Sequence, residues 1–235
     1  MRFTLFSRRT FIATALVASA ALPLANALAA PFASERITVR TEGSGPDVVL
    51  IPGLNSSPRA WASTVATVPG YRYHLVQVSG FAGQPAGANK EGNVAAPVAE
   101  EIARYIKEAD LKQPAVIGHS MGGTIGMMLA ARHPDLVSKL MVVDMIPFMG
   151  AMFGPPGTTA QSVVPVADQV FTAQSTAPRD QYLTQARAAV TGMIRTEAAR
   201  PGPLADVENS DQQVSAAALR ELIVTDLRPE LGKIT

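Results

Sequence analysis

Residues 35–43, ERITVRTEG, alternate apolar and polar side chains, which predicts an outer strand with one solvated face. After the turn GSGP, the run DVVLIPG is short and continuously apolar. It predicts a strand buried on both faces of a parallel sheet. SSPRAWASTVATV follows as a helix, with Ser57 placed to cap it and Pro58 at its first position. YRYHLVQV is a further strand, and PVAEEIARYIKEA is an amphipathic helix with Val98, Ile102, Tyr105, Ile106 and Ala109 on one face. PAVIGHS reads as strand, the stretch from Met121 to His133 as helix ended by Pro134, and SKLMVVDMI as another buried strand. Such alternation predicts an α/β fold, a mostly parallel sheet flanked by helices.

After Phe148 the rhythm breaks. MGAMFGPPGTTAQSVVPVAD carries no strand pattern and reads as loop. Two helices are expected beyond it. One covers roughly 178–195, with Tyr182, Ala186, Val190 and Met193 in register, and the other starts at Ser210, where Ser210 and Gln213 have capping-box spacing. Residues 149–226 are thus expected to form a helical lid over a core of residues 30–148, with 227–235 starting a return to the core. Met141, Met145, Met149, Met152, Phe148 and Phe153 gather where lid meets core. They read equally as the wall of an apolar substrate pocket or as lid packing.

The opening of the chain has a different character. A basic start (Arg2, Arg8, Arg9), an apolar run from Phe11 to Leu22 and the small-residue site Ala27-Leu28-Ala29 make residues 1–29 a signal peptide. The pair in SRRTFI resembles the twin-arginine export signal, which implies recognition by export machinery and a periplasmic or secreted location. A general secretory signal or an uncleaved anchor are the alternatives. Cleavage removes three arginines and no acid, which takes the formal charge from +1 to −2. That balance, with no basic stripe, argues against a nucleic-acid partner. There is no cysteine, which excludes disulfides and thiolate chemistry, and three scattered histidines suggest no metal site.

The candidate chemistry lies at Gly118-His119-Ser120-Met121-Gly122, a G-x-S-x-G elbow between a buried strand and a helix. Glycines two residues either side of the serine relieve the crowding of a sharp turn. With these residues in that setting, the chain resembles the α/β-hydrolase family over roughly residues 36–148. The resemblance implies Ser120 as nucleophile, with the backbone amides of Leu54, in IPGLNSS, and Met121 as oxyanion hole. It also implies a small-molecule ester or related acyl substrate, and no cofactor. SGFAGQP corresponds to a second glycine-containing loop. A non-catalytic binding module of the same fold, a cofactor-free haloperoxidase and a carbon–carbon bond hydrolase are the other readings.

A serine nucleophile needs a base. His119 adjoins Ser120 in the turn, His133 lies about 20 Å along the helix at 1.5 Å per residue, and His74 falls early in its strand; none is expected to reach the hydroxyl. The family order is serine, acid, histidine. Since the sequence reaches LRPELGKIT without a later histidine, the expectation is that acid, histidine and C-terminal strands lie beyond residue 235 and that this chain alone is inactive. Asp144, at the end of LMVVD, is a second candidate for the acid because some family members take it from that strand; its other reading is a brace for the following loop.

Overall fold

The computed structural model describes residues 32–235; the signal-peptide expectation falls on residues outside that range. Five strands form one sheet: β1 (Ile37–Gly43), β2 (Asp47–Ile51), β3 (Arg72–Val78), β4 (Ala115–His119) and β5 (Lys139–Val143), in the order β1-β3-β2-β4-β5. β1 runs antiparallel to β3, and all other neighbours are parallel. Unbroken apolar runs become central strands because both faces are covered. Val49 and Ile51 enter the main core with Val76, Ile102, Val116 and Ile125, while Val48 and Leu50 pack on the opposite face with Trp61 and Leu75.

The helices on the main-core face are α2 (Ala95–Glu108) and α3 (Met121–Arg132). α3 is buried all round from Met121 to Ala131, as a helix without a polar face should be. On α2 the apolar stripe is buried as expected except for Ala109, which is exposed at its end. Among the described residues, the opposite face is covered by a 3-10 turn (Pro58–Trp61) leading into the short α1 (Ala62–Thr67), where a single helix was expected. Ser57 does cap that turn, accepting from the Arg59 amide at 3.4 Å.

β5 departs from its prediction as a buried strand. Leu140 and Val142 pack on the main core, but Lys139, Met141 and Val143 are exposed, Met141 by 58%. An apolar run reports what could be buried, whereas a strand at the sheet's end has one face with nothing laid over it among the described residues.

The segment after β5 is more helical than its sequence suggests. Beyond a 3-10 turn (Met149–Phe153) come α4 (Ala160–Thr176), α5 (Arg179–Met193), α6 (Pro201–Glu208) and α7 (Gln212–Val224). α4 occupies part of the predicted loop. Thr159 and Ser162 form a reciprocal capping box, and Pro165 stands inside the helix on its exposed side. α5 matches the predicted helix in extent, and Tyr182 and Val190 are buried, but Met193 at its end is 74% exposed and Ala186 only half-buried. α7 starts two residues later than expected, and its cap is Asp211, which accepts from the Gln213 and Val214 amides. Ser210 instead accepts from the Ala82 amide and donates to the Asp206 carbonyl. α7 bridges the two layers: Val214, Ala218 and Leu222 join the main core, while Ile223 packs with Phe148, Val163 and Ala167. The methionine–phenylalanine group therefore divides. Phe148 is buried within the cap, the helical layer built by α4 to α7, and Met145 and Met149 lean on the core, but Met152 is 74% exposed and Phe153 is exposed beside it.

Candidate active site

A single residue, Ser120, joins β4 to α3, at φ 52° and ψ −121°. A side chain in that region costs about 1–3 kcal/mol and persists only where its surroundings impose it. Here they do. The Ser120 amide donates to the Val143 carbonyl at 2.9 Å, and its carbonyl accepts from the Gly123 amide at 2.7 Å. A Cβ on Gly118 would fall far inside contact distance of the Gly122 carbonyl oxygen, and one on Gly122 would meet the Ile51 carbonyl oxygen. Both flanking positions thus exclude any side chain. The loop after β2 lies directly against the turn: a Cβ on Gly53 would stand 3.2 Å from the Ser120 Cβ.

The amide after Gly53 is that of Leu54, and the amide after Ser120 is that of Met121. Neither donates a hydrogen bond among the described residues, and the Ser120 hydroxyl has no side-chain partner there. Two open amides at the N-terminus of α3 can receive developing negative charge. Strain is concentrated along this edge. The four parallel strands β2, β3, β4 and β5 leave the sheet through loops that each hold a non-glycine residue at positive φ: Asn55 (58°), Ala82 (51°), Ser120 (52°) and Asp144 (54°).

A family model described as alpha/beta hydrolase fold matches residues 46–186, which take in β2 through β5 and the serine turn. The chain belongs to the α/β-hydrolase family. Among its relatives, the pimeloyl-[acyl-carrier protein] methyl ester esterase of Vibrio vulnificus (strain YJ016) is 28% identical over 207 residues, covering 83% of this chain and 74% of the relative. The enzyme of the same name from Aeromonas hydrophila subsp. hydrophila is 30% identical over 208 residues, covering 85% and 76%. Among solved structures, an esterase from Exiguobacterium antarcticum superposes with a TM-score of 0.69 at 23% identity, over 85% of this chain and 74% of that one. That last likeness is one of fold.

An α/β-hydrolase serine works with a histidine and an acid, and none of the three histidines of this member bonds Ser120 among the described residues. His74, on β3, bonds through Nδ1 to the Tyr105 hydroxyl (2.6 Å) and through Nε2 to Asp47 (2.8 Å). Tyr105 belongs to α2, and Asp47 starts β2 at the N-terminal edge of the sheet, where Arg72 also holds its carboxyl below the usual carboxylate range. His133 ends α3 and bonds Glu100 at 2.9 Å. His119 lies beside the Gly53 loop, its Nδ1 3.2 Å from a Cβ placed there, with no hydrogen bond to Ser120. Asp144 follows the residue that holds the Ser120 amide; its carboxylate is exposed and makes no hydrogen bond or ion pair among the described residues, the following loop included. Those residues also contain no cluster of three groups able to hold a metal ion.

Pattern reading missed the polar groups that tie the cap to this edge. Asp206 of α6 is buried, accepts from the Ser57 amide (3.1 Å) and hydroxyl (2.7 Å), and pairs with Arg59 (3.1 Å). The Ser215 hydroxyl of α7 lies between the Asn55 side-chain amide (2.6 Å) and the Asp211 carbonyl (2.5 Å), within hydrogen-bond distance of both. Glu221 of α7 accepts from the amides of Val94, Ala95 and Ala96 at 2.6–2.8 Å, closing the N-terminus of α2. The only local signal was an acid in an otherwise apolar helix face; each partner lies more than a hundred residues away.

Proposed function

We propose that the protein is an exported serine hydrolase acting on an ester or related acyl compound. The observation that carries this reading is Ser120 held at positive φ with the Leu54 and Met121 amides open beside it. In the reaction, the Ser120 oxygen attacks the acyl carbon, and those two amides stabilise the oxygen that becomes negative. The methyl ester esterases among the relatives support an ester as substrate. The exposed Met152 and Phe153 suit a substrate with an apolar group. The basic and apolar opening of the chain supports export, and precursor retained in the cytoplasm after replacing Arg8 and Arg9 by lysine would support the twin-arginine route; unchanged delivery would exclude it.

The general base in this reading is a histidine other than His74, His119 and His133. The 235 residues contain no other, so this chain alone is expected to show no Ser120-dependent turnover of a short-chain nitrophenyl ester near neutral pH. An oxyanion hole and binding alone leave about 10³- to 10⁴-fold over water in a well-studied protease. Robust turnover abolished by Ser120→Ala would mean that Asp144 or another group completes the site. The missing contact between Ser120 and any histidine favours a second reading, a non-catalytic binding module. A fluorophosphonate probe decides at alkaline pH, where hydroxide replaces the base: labelling of Ser120 supports the hydrolase, and none supports the module. A substrate panel including carbon–carbon and haloperoxidase substrates separates the remaining chemistries.

A further inference from the structure

We infer that the cap assembles the oxyanion hole, with Asp206 and Ser215 as positioning residues for the loop that carries the Leu54 amide. The inference rests on the reading of that amide as an oxyanion donor. Residues 53–57 leave β2 as a turn closed by one backbone bond, from the Ser56 amide to the Gly53 carbonyl at 3.1 Å. Asn55 stands at φ 58° within it. One backbone bond and a strained residue do not fix a loop by themselves. Within the loop the Ser56 hydroxyl adds a long bond to the Leu54 carbonyl at 3.3 Å; the restraints from outside it come from the cap, at both ends of the sequence Asn55-Ser56-Ser57.

Asp206 supplies the first. Its carboxylate is 5% exposed and fully occupied: Oδ2 takes the amide and hydroxyl of Ser57, and Oδ1 faces Arg59. A buried carboxylate that accepts from one residue's backbone and side chain fixes that residue's orientation as well as its position. Ser215 supplies the second through its bond to the Asn55 side chain, the residue directly after Leu54. The connection between α6 and α7 also grips the loop after β3. The Asp211 amide donates to the Gly80 carbonyl at 2.7 Å, and the Gly83 amide donates to the Asn209 carbonyl at 2.9 Å. α6 and α7 are therefore hydrogen-bonded to the loops of two strands at the edge that holds Ser120. Leu54 lies between Gly53, which abuts Ser120, and Asn55, which the cap holds. Its amide is aimed by the cap.

The test uses the full chain and the Asp206→Ala, Asp206→Asn and Ser215→Ala variants. Two readouts are taken: hydrogen exchange across residues 53–57, and the rate at which a fluorophosphonate labels Ser120 at alkaline pH. Labelling forms the Ser120 oxygen–phosphorus bond and breaks the phosphorus–fluorine bond; fluoride leaves and hydroxide takes the proton, so no histidine is required. The phosphoryl oxygen occupies the oxyanion position. The expected result for Asp206→Ala is faster exchange confined to the loop and its neighbours. Labelling slows by roughly tenfold to a hundredfold, the scale of a misplaced group in an active site. Ser215→Ala shows the same pattern more weakly. Asp206→Asn, which keeps an acceptor for Ser57 but not the charge facing Arg59, recovers part of the rate. Unchanged labelling in Asp206→Ala would overturn the inference, as would exchange that rises throughout residues 32–235, since Asp206 would then be a general brace. Wild-type protein that does not label at all would overturn the hydrolase reading first and this one with it, a result distinct from variants that label like wild type.

Discussion

Two helices, α2 and α3, begin at the same edge of the sheet, and their N-termini are treated in opposite ways. At α2 the buried Glu221 carboxylate accepts from three successive amides, so every donor in the first turn that faces the core is used. At α3 no side chain approaches the Met121 amide among the described residues, and Ser120 occupies the cap position without capping it. Both ends carry the same partial positive charge. A permanent anion has been built into one, and the other is left open among the described residues, as the proposed oxyanion hole requires. The difference separates a helix end that holds the fold together from one available for chemistry, and it is visible only when the donors are accounted for one by one.

The largest effect should come from breaking the turn that opens α3. Gly118→Ala places a methyl group on the Gly122 carbonyl, backbone against backbone, where neither atom can yield. The expected loss is about 3 kcal/mol, the upper part of the usual range for overpacking. At roughly 2–4 °C per kcal/mol for a chain of this size, thermal unfolding should shift down by about 6–12 °C. A shift below about 2 °C would mean that the turn relaxes easily and that its strain is not imposed by the glycine contacts.

At α2 the prediction has two arms. Glu221→Ala leaves three amides, two of them buried, without an acceptor and should cost about 2–3 kcal/mol. Glu221→Gln retains one acceptor oxygen, loses the charge, and should cost about half as much. Urea unfolding at neutral pH measures both. Equal losses in the two variants would show that the negative charge contributes nothing at this helix end and that the contrast with α3 is one of hydrogen bonding alone.

How much of this was legible in the sequence follows from the range of each interaction. β2 and β4 were readable because apolar runs bounded by turns are local, and Ser120 was readable because its turn needs Gly118 and Gly122 within four residues of each other. The same holds for α5. α4 was not, because its capping box is Thr159 with Ser162 rather than a more familiar acid, and Pro165 reads as a breaker although it stands inside the helix. The exposure of β5 was not readable either: LMVV is apolar whether or not anything covers Met141. Asp206 and Glu221 were the least accessible, since their partners lie 149 and 125 to 127 residues away in the chain. A carboxylate reads as a surface group until the fold brings buried amides to it.

The smallest expected effect lies at the other end of α3, where Arg132 makes a two-pronged bond to Glu230 (3.0 and 2.9 Å) and ties the final 3-10 segment, Arg228–Lys233, to the helix. Arg132 holds the Glu230 carboxyl below its ordinary value of 4.5. A carboxylate favoured by folding stabilises the protein when it is ionised in both states, so its contribution is fully present above the unfolded value. It is lost as pH falls through the lower folded value. Pairs with both partners partly exposed are worth about 0.5–1 kcal/mol when the geometry is bidentate, less in salt. Glu230→Gln should therefore lower the unfolding temperature by about 1–4 °C at neutral pH. The gap from wild type should stay constant at pH values above the ordinary carboxylate value and close as pH falls through the lower folded value, where the carboxylate becomes protonated. Added salt should narrow it at neutral pH. A gap that persists at low pH would assign the loss to packing by the Glu230 side chain, and α3 would then be held at this end by contact and not by charge.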